Sequence, residues 1–321
     1  MKKPTFLELV AAELALVEEK MREPDPDRHP AVNDAVTHLI NSGGKRVRPT
    51  VVLLVCKLLQ ADCERGIHLA GAVEMLHTAT LVHDDIIDGS LIRRGNPTLN
   101  ATWSPGATIL TGDYLFARAA ELAAQTDNVT VMRLFARALM TICNGELGQM
   151  FNARTKSTDR DEYYQRIYAK TGALFVLAAE AAGVLAGAAD EARADLRTFG
   201  KELGVAFQIV DDLLDFVGSE TQVGKPLGSD LSQGLVTLPT ICFLERHPND
   251  ERVLDVLHGR RSPQYVELAL EAVRNSSAID LAKEEAQEHA RLAKLALSNL
   301  PDNLYRQALL ELADYTVQRT L

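Results

Sequence analysis

The sequence LVHDDIID at residues 81–88 places three carboxylates within five positions of an otherwise apolar run. If this run is helical, Asp84 and Asp88 lie one turn apart on the same face, and Asp85 is rotated from Asp84 by about 100°. Two carboxylates at that spacing repel each other, and burying them without partners is costly. A hard divalent cation such as Mg²⁺ removes both problems, because it binds carboxylate and phosphate oxygens. For this stretch alone, a solvated acidic patch at a helix end is the alternative.

A second stretch, QIVDDLLD at residues 208–215, repeats the pattern. Asp211, Asp212 and Asp215 again stand in an apolar helical run, which is hard to explain as a second chance surface patch. If the two helices face each other, their carboxylates form one acid-lined mouth for several metal ions. Such a mouth suits a substrate that is richer in negative charge than the protein, and a diphosphate has that property.

Composition limits the class of protein. The chain has 321 residues, 46% hydrophobic and 24% charged, which is typical of a globular protein with a large core. Its formal net charge of −10 argues against a general nucleic-acid or anionic-membrane binder. The four cysteines lack metal-binding spacing, and the acidic N-terminus does not resemble a secretory signal. No uninterrupted apolar run approaches the ~18 residues of a membrane span, so we expect a cytoplasmic protein.

Helical periodicity dominates the chain, and no stretch alternates polar and apolar residues as a half-buried strand does. We therefore predict an all-α bundle, a single domain over residues 1–321 without an interdomain linker. The helices are expected at residues 5–21, 30–40, 50–59, 67–88, 112–126, 129–150, 173–189, 192–217, 265–275, 278–297 and 303–319.

The stretch GGKRVRP at residues 43–49 is the densest basic segment of this acidic chain. Paired glycines allow backbone N–H groups to approach an anion, and Lys45 and Arg48 add positive charge before a helix. A basic turn at a helix start is the alternative. His77 lies seven positions before Asp84, about two helical turns, and so shares its face. This spacing favours a role in the site over a purely structural histidine.

Further basic and polar residues lie between the two acid clusters. Arg93 and Arg94 suit a bidentate grip on phosphate, or else only balance the aspartates before them. Lys170 with Thr171 is a weaker phosphate candidate. Glu146 and Gln149 lie deep in an apolar helix, where they either line a pocket or pin a neighbouring helix.

Taken together and in this order, GGKRVRP, the first DDxxD, RRG at residues 93–95, KTG at residues 170–172 and the second DDxxD resemble the trans-isoprenyl diphosphate synthases. Within that family the chain is most similar to the long-chain, octaprenyl-type synthases, from about residue 35 to the C-terminus. The resemblance implies one large bundle of antiparallel helices around a central cavity, usually in a homodimer. It also implies a prenyltransferase that condenses isopentenyl diphosphate head-to-tail (1'-4) with an allylic prenyl diphosphate.

The resemblance also implies roles for individual residues. Isopentenyl diphosphate is expected to contact Lys45, Arg48, His77 and Arg94. The allylic diphosphate is expected to bind through about three Mg²⁺ ions on Asp84, Asp88 and Asp211. Arg93, Lys170 and Lys225 assist there, Thr171 and Gln208 lie beside the reacting carbons, and Asp85, Asp212 and Asp215 complete the catalytic clusters. One departure is Leu235, in GLVTLP at residues 234–239, where family members often carry a lysine.

Product length is expected to depend on the residues that precede Asp84. Short-chain relatives commonly carry a bulky aromatic residue at the position of Ala79 or Thr80, which acts as a floor for the growing chain. Both residues are small here, so the limit moves to deeper candidates, namely Val73, Leu76, Leu115 and Phe116. At about one isoprene unit per helical turn, a product of roughly six to ten units is expected. Substituting Ala79 by tyrosine should then give a short-chain synthase.

Three alternatives stay open at this point. A short-chain farnesyl or geranylgeranyl diphosphate synthase would share every motif. A terpene cyclase would share the acid clusters, but it needs no second diphosphate site such as the basic segment provides. A non-catalytic subunit of a heteromeric synthase would be expected to lose one acid cluster, and both are intact. For the long-chain synthase, we expect the product to pass to membrane enzymes as a quinone side-chain precursor.

Overall fold

The computed structural model describes residues 5–23, 28–93, 95–152, 157–218 and 227–318. Nearly all of the regular structure in these ranges is helical, which confirms the all-α prediction. The first half contains α1 (Thr5–Glu8), α2 (Ala11–Arg22), α3 (Pro30–Asn41), α4 (Val47–Leu58), α5 (Cys63–Ile87), α6 (Leu99–Thr102), α7 (Pro105–Ala124) and α8 (Val129–Asn152).

The second half continues with α9 (Arg160–Ile167), a π-helical turn (Tyr168–Gly172), α10 (Ala173–Leu185) and α11 (Asp190–Val217). It ends with α12 (Ser229–Gln233), α13 (Leu238–Arg246), α14 (Glu251–Leu257), α15 (Pro263–Arg274), α16 (Ala278–Ala296) and α17 (Leu304–Gln318). Predicted and observed boundaries differ most at α7, which begins at Pro105 rather than at residue 112. Ser104 caps this helix by accepting a hydrogen bond from the Ala107 N–H, and Pro105 suits its first turn.

Strands occur at one place in the described ranges, which is consistent with the predicted all-α fold. β1 (Ile92–Arg93) pairs antiparallel with β2 (Asn96–Pro97) in a minimal hairpin just after α5. Two-residue strands are too short to produce the alternation of polar and apolar residues by which strands are recognised in a sequence. The hairpin holds Arg93 close to the end of α5.

The chain divides into two compact units. The first comprises residues 1–138, 174–200 and 296–311, and the second comprises residues 139–173, 201–295 and 312–321. The expectation of a single domain stays a prediction.

In the first unit, α5 is the central helix and packs against α2, α4 and α7. Asp62 caps its start by accepting a hydrogen bond from the Arg65 N–H at 2.9 Å. From Gly66 to Leu76 every residue of α5 is buried, which is typical of a helix that is enclosed on all sides. Its last three turns are more exposed, and they carry His77 and the first acid cluster.

In the second unit, a core of apolar side chains surrounds the end of α11. Ile209, Leu213 and Phe216 of α11 are at most 2% exposed and belong to one buried cluster with residues of α9 and α13–α16. This packing fixes the helix that carries the second acid cluster.

One helical run, residues 160–185, is long and apolar enough to cross a membrane by length and composition. However, 83% of its most apolar window is buried inside the protein, as expected for a core helix. This run is therefore weak evidence for a membrane span.

Candidate active site

The first acid cluster forms the last turn of α5, and its three carboxylates differ in environment. Asp84 is half-buried and Asp88 is exposed, whereas Asp85 is only 5% exposed. Arg93 of the hairpin pairs with Asp85, with its Nε and Nη2 atoms 2.9 and 2.8 Å from Oδ1. Burial raises the pKa of Asp85, and the Arg93 hydrogen bond and charge oppose this rise without cancelling it. The predicted rotation of Asp85 away from the other two aspartates agrees with this arrangement.

Next to this cluster, a pocket in the first unit contains several charged or titratable side chains. His77 lines it together with Arg46, Glu74, Asp85 and Arg93. The remaining lining residues are His38, Leu39, Ser42, Gly43, Thr78, Leu81, Pro97 and Thr98. Both arginines are paired with carboxylates of the same pocket, Arg46 with Glu74 and Arg93 with Asp85. The predicted diphosphate role of His77 stays a prediction.

The basic segment places its three cations in three different environments. Lys45 is exposed, and Arg48 is only 9% exposed, with its guanidinium stacked over the Phe175 ring at 4.8 Å from the centroid. Arg46 bridges two carboxylates, those of Glu18 and Glu74, each at 2.9 Å. Sequence reasoning named Lys45 and Arg48 but missed the Arg46–Glu74 pair, because only the fold brings α5 next to the segment.

In the second acid cluster, Asp211 is half-buried, whereas Asp212 and Asp215 are buried and hydrogen-bonded within the protein. Asp215 accepts hydrogen bonds from the Ser229 hydroxyl at 2.8 Å and from the Asp230 N–H at 3.0 Å. These bonds tie the end of α11 to the start of α12. Asp215 therefore has a structural task that its place in the motif did not predict.

Asp212 lies at the end of a chain of hydrogen bonds. The Tyr163 hydroxyl donates to its Oδ2 at 2.7 Å, and Gln208 Nε2 donates to its Oδ1 at 2.8 Å. Thr171 in turn donates to Gln208 Oε1 at 2.6 Å. Burial and the negative charge of Asp230 raise the pKa of Asp212 well above its usual range, and the bonds from Gln208 and Tyr163 oppose that rise.

The Lys170–Thr171 pair lies in the π-helical turn between α9 and α10. Such turns are uncommon, and they occur frequently at functional sites. Lys170 pairs with Glu146 of α8 at 3.4 Å, so Glu146 pins a neighbouring element of its own unit. The close approach depends on Gly145, because a Cβ there would overlap the Ala169 side chain.

The predicted chain-length residues fall into two groups. Ala79, Leu76 and Leu115 have no exposed surface at all. Thr80 is half-buried on the same face of α5 as Asp84, and its hydroxyl donates to the His77 carbonyl at 2.7 Å. Phe116 is also half-buried and stacks on His83 at 5.1 Å between ring centroids.

Two predicted site residues, Arg94 and Lys225, lie outside the described residues. Within the described ranges, no group of three or more His, Cys, Asp or Glu side chains is arranged to hold a metal ion by itself. The donors nevertheless fit Mg²⁺, which is usually held by one or two carboxylates together with substrate phosphate oxygens and water. Asp84, Asp88 and Asp211 are the more accessible carboxylates of their clusters, and they supply only oxygen atoms.

Comparison with solved structures defines the class of protein. The chain is similar to a crystal structure of polyprenyl synthase from Caulobacter crescentus CB15 complexed with calcium and isoprenyl diphosphate. The two chains have 37% sequence identity and superpose with a TM-score of 0.90, and the match covers 98% of this chain and 97% of that one. The helical fold is therefore that of the isoprenoid-synthase-type prenyltransferases, as predicted.

Sequence comparisons give the family. The chain belongs to the polyprenyl synthetase family, whose model matches residues 29–274. It is 37% identical to an all-trans-nonaprenyl-diphosphate synthase (geranyl-diphosphate specific) from Rhodobacter capsulatus, over 99% of this chain and 98% of the relative. It is also 37% identical to heptaprenyl diphosphate synthase component 2 from Geobacillus stearothermophilus, over 99% of each chain. The resemblance to long-chain trans-polyprenyl diphosphate synthases is confirmed, and the chain is a prenyltransferase of isoprenoid biosynthesis.

Proposed function

We propose that this enzyme condenses isopentenyl diphosphate 1'-4 with an allylic prenyl diphosphate, releases diphosphate and makes an all-trans product of more than four isoprene units. The observation that carries this proposal is the neighbourhood of two kinds of anion-binding element in the first unit. One is the basic segment at residues 43–49, whose Gly43 and Arg46 line a pocket with His77, and the other is a carboxylate cluster suited to a divalent metal. A prenyltransferase that binds two diphosphates needs both elements, whereas a terpene cyclase needs only the second.

In this proposal the basic segment and its pocket bind isopentenyl diphosphate. Lys45 and His77 contact the diphosphate oxygens, and Arg48 supports the site from its buried position over Phe175. Arg94 completes the set. The exposure of Lys45 and the half-buried state of His77 leave both side chains accessible to a ligand.

Asp84 and Asp88 would hold divalent metal at the first cluster and Asp211 would hold it at the second; we propose Mg²⁺, about three ions in all. When bound, the metal would neutralise the oxygens of the allylic diphosphate. Arg93 holds Asp85 in place, and Tyr163 and Gln208 hold Asp212. Each of these buried acids thereby helps to orient the metal-binding aspartate beside it, Asp84 or Asp211. Lys170, held by Glu146, and Lys225 add positive charge for the departing diphosphate.

The reaction breaks the allylic C1–O bond and forms a C–C bond to the double bond of isopentenyl diphosphate. A proton then leaves the new cation and passes to the released diphosphate, which restores the double bond. Preorganised positive charge stabilises the leaving group in the transition state. Thr171 and Gln208, joined by a 2.6 Å hydrogen bond, present a fixed dipole beside the reacting carbons.

We further propose a cytoplasmic homodimer that passes its product to membrane enzymes. The four cysteines are free thiols, which suits a reducing compartment. On α8 the side chains of Met140, Leu147, Met150 and Phe151 are 50–81% exposed at helical spacing, and so they favour burial against a second copy. Light scattering on the purified protein measures the mass in solution and tests this part.

A second candidate is an enzyme that needs a different partner subunit. The similarity to a relative named as component 2 of a heptaprenyl diphosphate synthase favours this candidate. One assay separates the two. The purified chain is incubated with Mg²⁺, labelled isopentenyl diphosphate and geranyl, farnesyl or geranylgeranyl diphosphate in turn, and the dephosphorylated products are separated by chromatography.

Products of more than four units from the chain alone support the first candidate. Products that stop at three or four units contradict the long-chain assignment. No condensation by a folded chain, with Mg²⁺ and each primer present, contradicts the proposal of a self-sufficient synthase.

A further inference from the structure

Arg46 has an unusual backbone conformation at the start of α4. Its φ and ψ are 48° and 33°, in the left-handed region that non-glycine residues rarely adopt. Such a conformation persists only where the surrounding structure holds it in place. The contacts of Arg46 explain how this is achieved.

All three guanidinium nitrogens of Arg46 bind groups of the protein. Nε donates to Glu18 of α2 at 2.9 Å, Nη1 donates to Glu74 of α5 at 2.9 Å, and Nη2 donates to the Ile40 carbonyl of α3 at 3.0 Å. The Arg46 carbonyl accepts from the Thr50 hydroxyl at 2.7 Å. The side chain thus joins the segment that contains Lys45 to three separate helices of the first unit.

Glu74 is the most buried partner in this network. It is 4% exposed, lies one turn before His77 on α5, and lines the same pocket as His77 and Arg46. Burial opposes the charge of Arg46, but the two carboxylates outweigh it and raise the pKa of Arg46. A buried ion pair contributes little net stability, and its better-attested use is to specify one geometry. The location of this pair points to the geometry of the diphosphate pocket.

We propose that Arg46 and Glu74 are a positioning pair for isopentenyl diphosphate. Arg46 anchors the basic segment to α5, so that Lys45 and Arg48 stand in a fixed relation to His77. Because the guanidinium nitrogens of Arg46 bind groups of the protein, Arg46 does not itself bind the diphosphate. Its role is to position Lys45 and Arg48, which do. This inference rests on the proposed function, since it assigns these residues to the isopentenyl diphosphate site rather than to the metal site.

The test compares Glu74→Gln with a matched control, Glu180→Gln. Glu180 is 5% exposed, belongs to the same unit, and accepts hydrogen bonds of 2.9 and 2.5 Å from Arg197, whose side chain is 53% exposed. Neither residue of the control pair belongs to the basic segment. Both substitutions therefore remove the charge of one buried carboxylate that binds an arginine, and only one of them affects the anchor.

For Glu74→Gln we expect the KM for isopentenyl diphosphate to rise at least about tenfold, and the KM for the allylic primer to change less than about twofold. Calorimetric titration of the metal-free full chain with isopentenyl diphosphate should give a similar loss of affinity. Glu180→Gln should change neither KM. If the ratio of the two KM values is the same in both variants, the pair has only a structural role and the inference is wrong.

Arg46→Lys covers the case in which Glu74→Gln does not fold. A lysine keeps the charge, but its single ammonium cannot reproduce the fork-shaped geometry that reaches all three acceptors. We expect a selective rise of about threefold or more in the KM for isopentenyl diphosphate, and an unchanged KM contradicts the inference. Failure of the proposed function looks different, because the wild-type chain would then not condense the two substrates at all.

Discussion

Replacement of Thr80 by tyrosine should convert the enzyme into a short-chain synthase. Thr80 lies four residues before Asp84 on the same face of α5, which is about 6 Å along the helix, close to the length of one extended isoprene unit. Its side chain is half-buried, so a phenol ring meets fewer packed neighbours here than at Ala79, which has no exposed surface. The product should therefore shorten to three or four units.

The structure changes the expectation for Ala79, the other candidate floor. Ala79 has no exposed surface on a helix that packs against α7 and α4, so a tyrosine there has to displace core side chains. Overpacking of this kind costs about 1–3 kcal/mol. We expect Ala79→Tyr to lower the melting temperature markedly, whereas Thr80→Tyr should leave it within a few degrees of the wild-type value.

Chromatography of the dephosphorylated products, run beside thermal unfolding of each variant, measures both effects. Thr80→Ser serves as the control, since it keeps the hydroxyl bond to His77 and adds no bulk. Unchanged product length in a stable Thr80→Tyr variant would refute the assignment of this level of α5 as the floor. A stable Ala79→Tyr variant with short products would instead restore Ala79 as the determinant.

The remaining predictions concern the acid clusters, the basic segment and the buried tyrosine. Asp84→Ala and Asp211→Ala should each lower kcat at least ~10²-fold, which corresponds to a loss of about 3 kcal/mol of transition-state stabilisation. Near-normal turnover by a folded variant would contradict the metal assignment. Lys45→Ala should raise the KM for isopentenyl diphosphate far more than that for the primer, and the reverse pattern would mean that the two sites are exchanged. Tyr163→Phe removes a 2.7 Å hydrogen bond to the buried Asp212 carboxylate, so urea unfolding should show a loss of about 1.5–3 kcal/mol, and no loss would mean that another donor replaces the hydroxyl. Chelation of divalent metal by EDTA should abolish turnover, and added Mg²⁺ should restore it; turnover that persists in EDTA would contradict the metal requirement.

The sequence alone predicts those features of the site that follow from local periodicity. The rotation of Asp85 away from Asp84 follows from helical geometry, and in the structure Asp85 is buried while Asp88 is exposed. His77 lines a pocket together with Asp85 of the first acid cluster, and its predicted contact with a diphosphate stays a prediction.

Features that depend on distant parts of the chain were not predictable in this way. Tyr163 binds Asp212 although the two residues are 49 positions apart, and no local pattern marks that tyrosine. The three cations of GGKRVRP are not distinguished by their sequence, but in the structure Arg46 pairs with the carboxylates of Glu18 and Glu74. The packing of α2 and α5 against the segment sets the different roles of these cations. Residue spacing within the segment does not predict that packing.

The π-helical turn at Tyr168–Gly172 has a consequence for how the hydrogen-bond chain to Asp212 is assembled. In a regular α-helix, Tyr163 and Thr171 would project about 80° apart, because they are eight positions apart. The wider turn rotates less per residue and narrows that angle, so both side chains reach the same chain of bonds, Tyr163 directly and Thr171 through Gln208. The π-helical turn thus offsets the rotation around the helix axis that one additional residue would cause. Deleting one residue between Tyr163 and Thr171 to leave an ordinary α-helix would place the two side chains seven positions and about 20° apart, so Thr171 should still face Gln208. Straightening the turn into an α-helix at constant length would instead swing Thr171 away from Gln208.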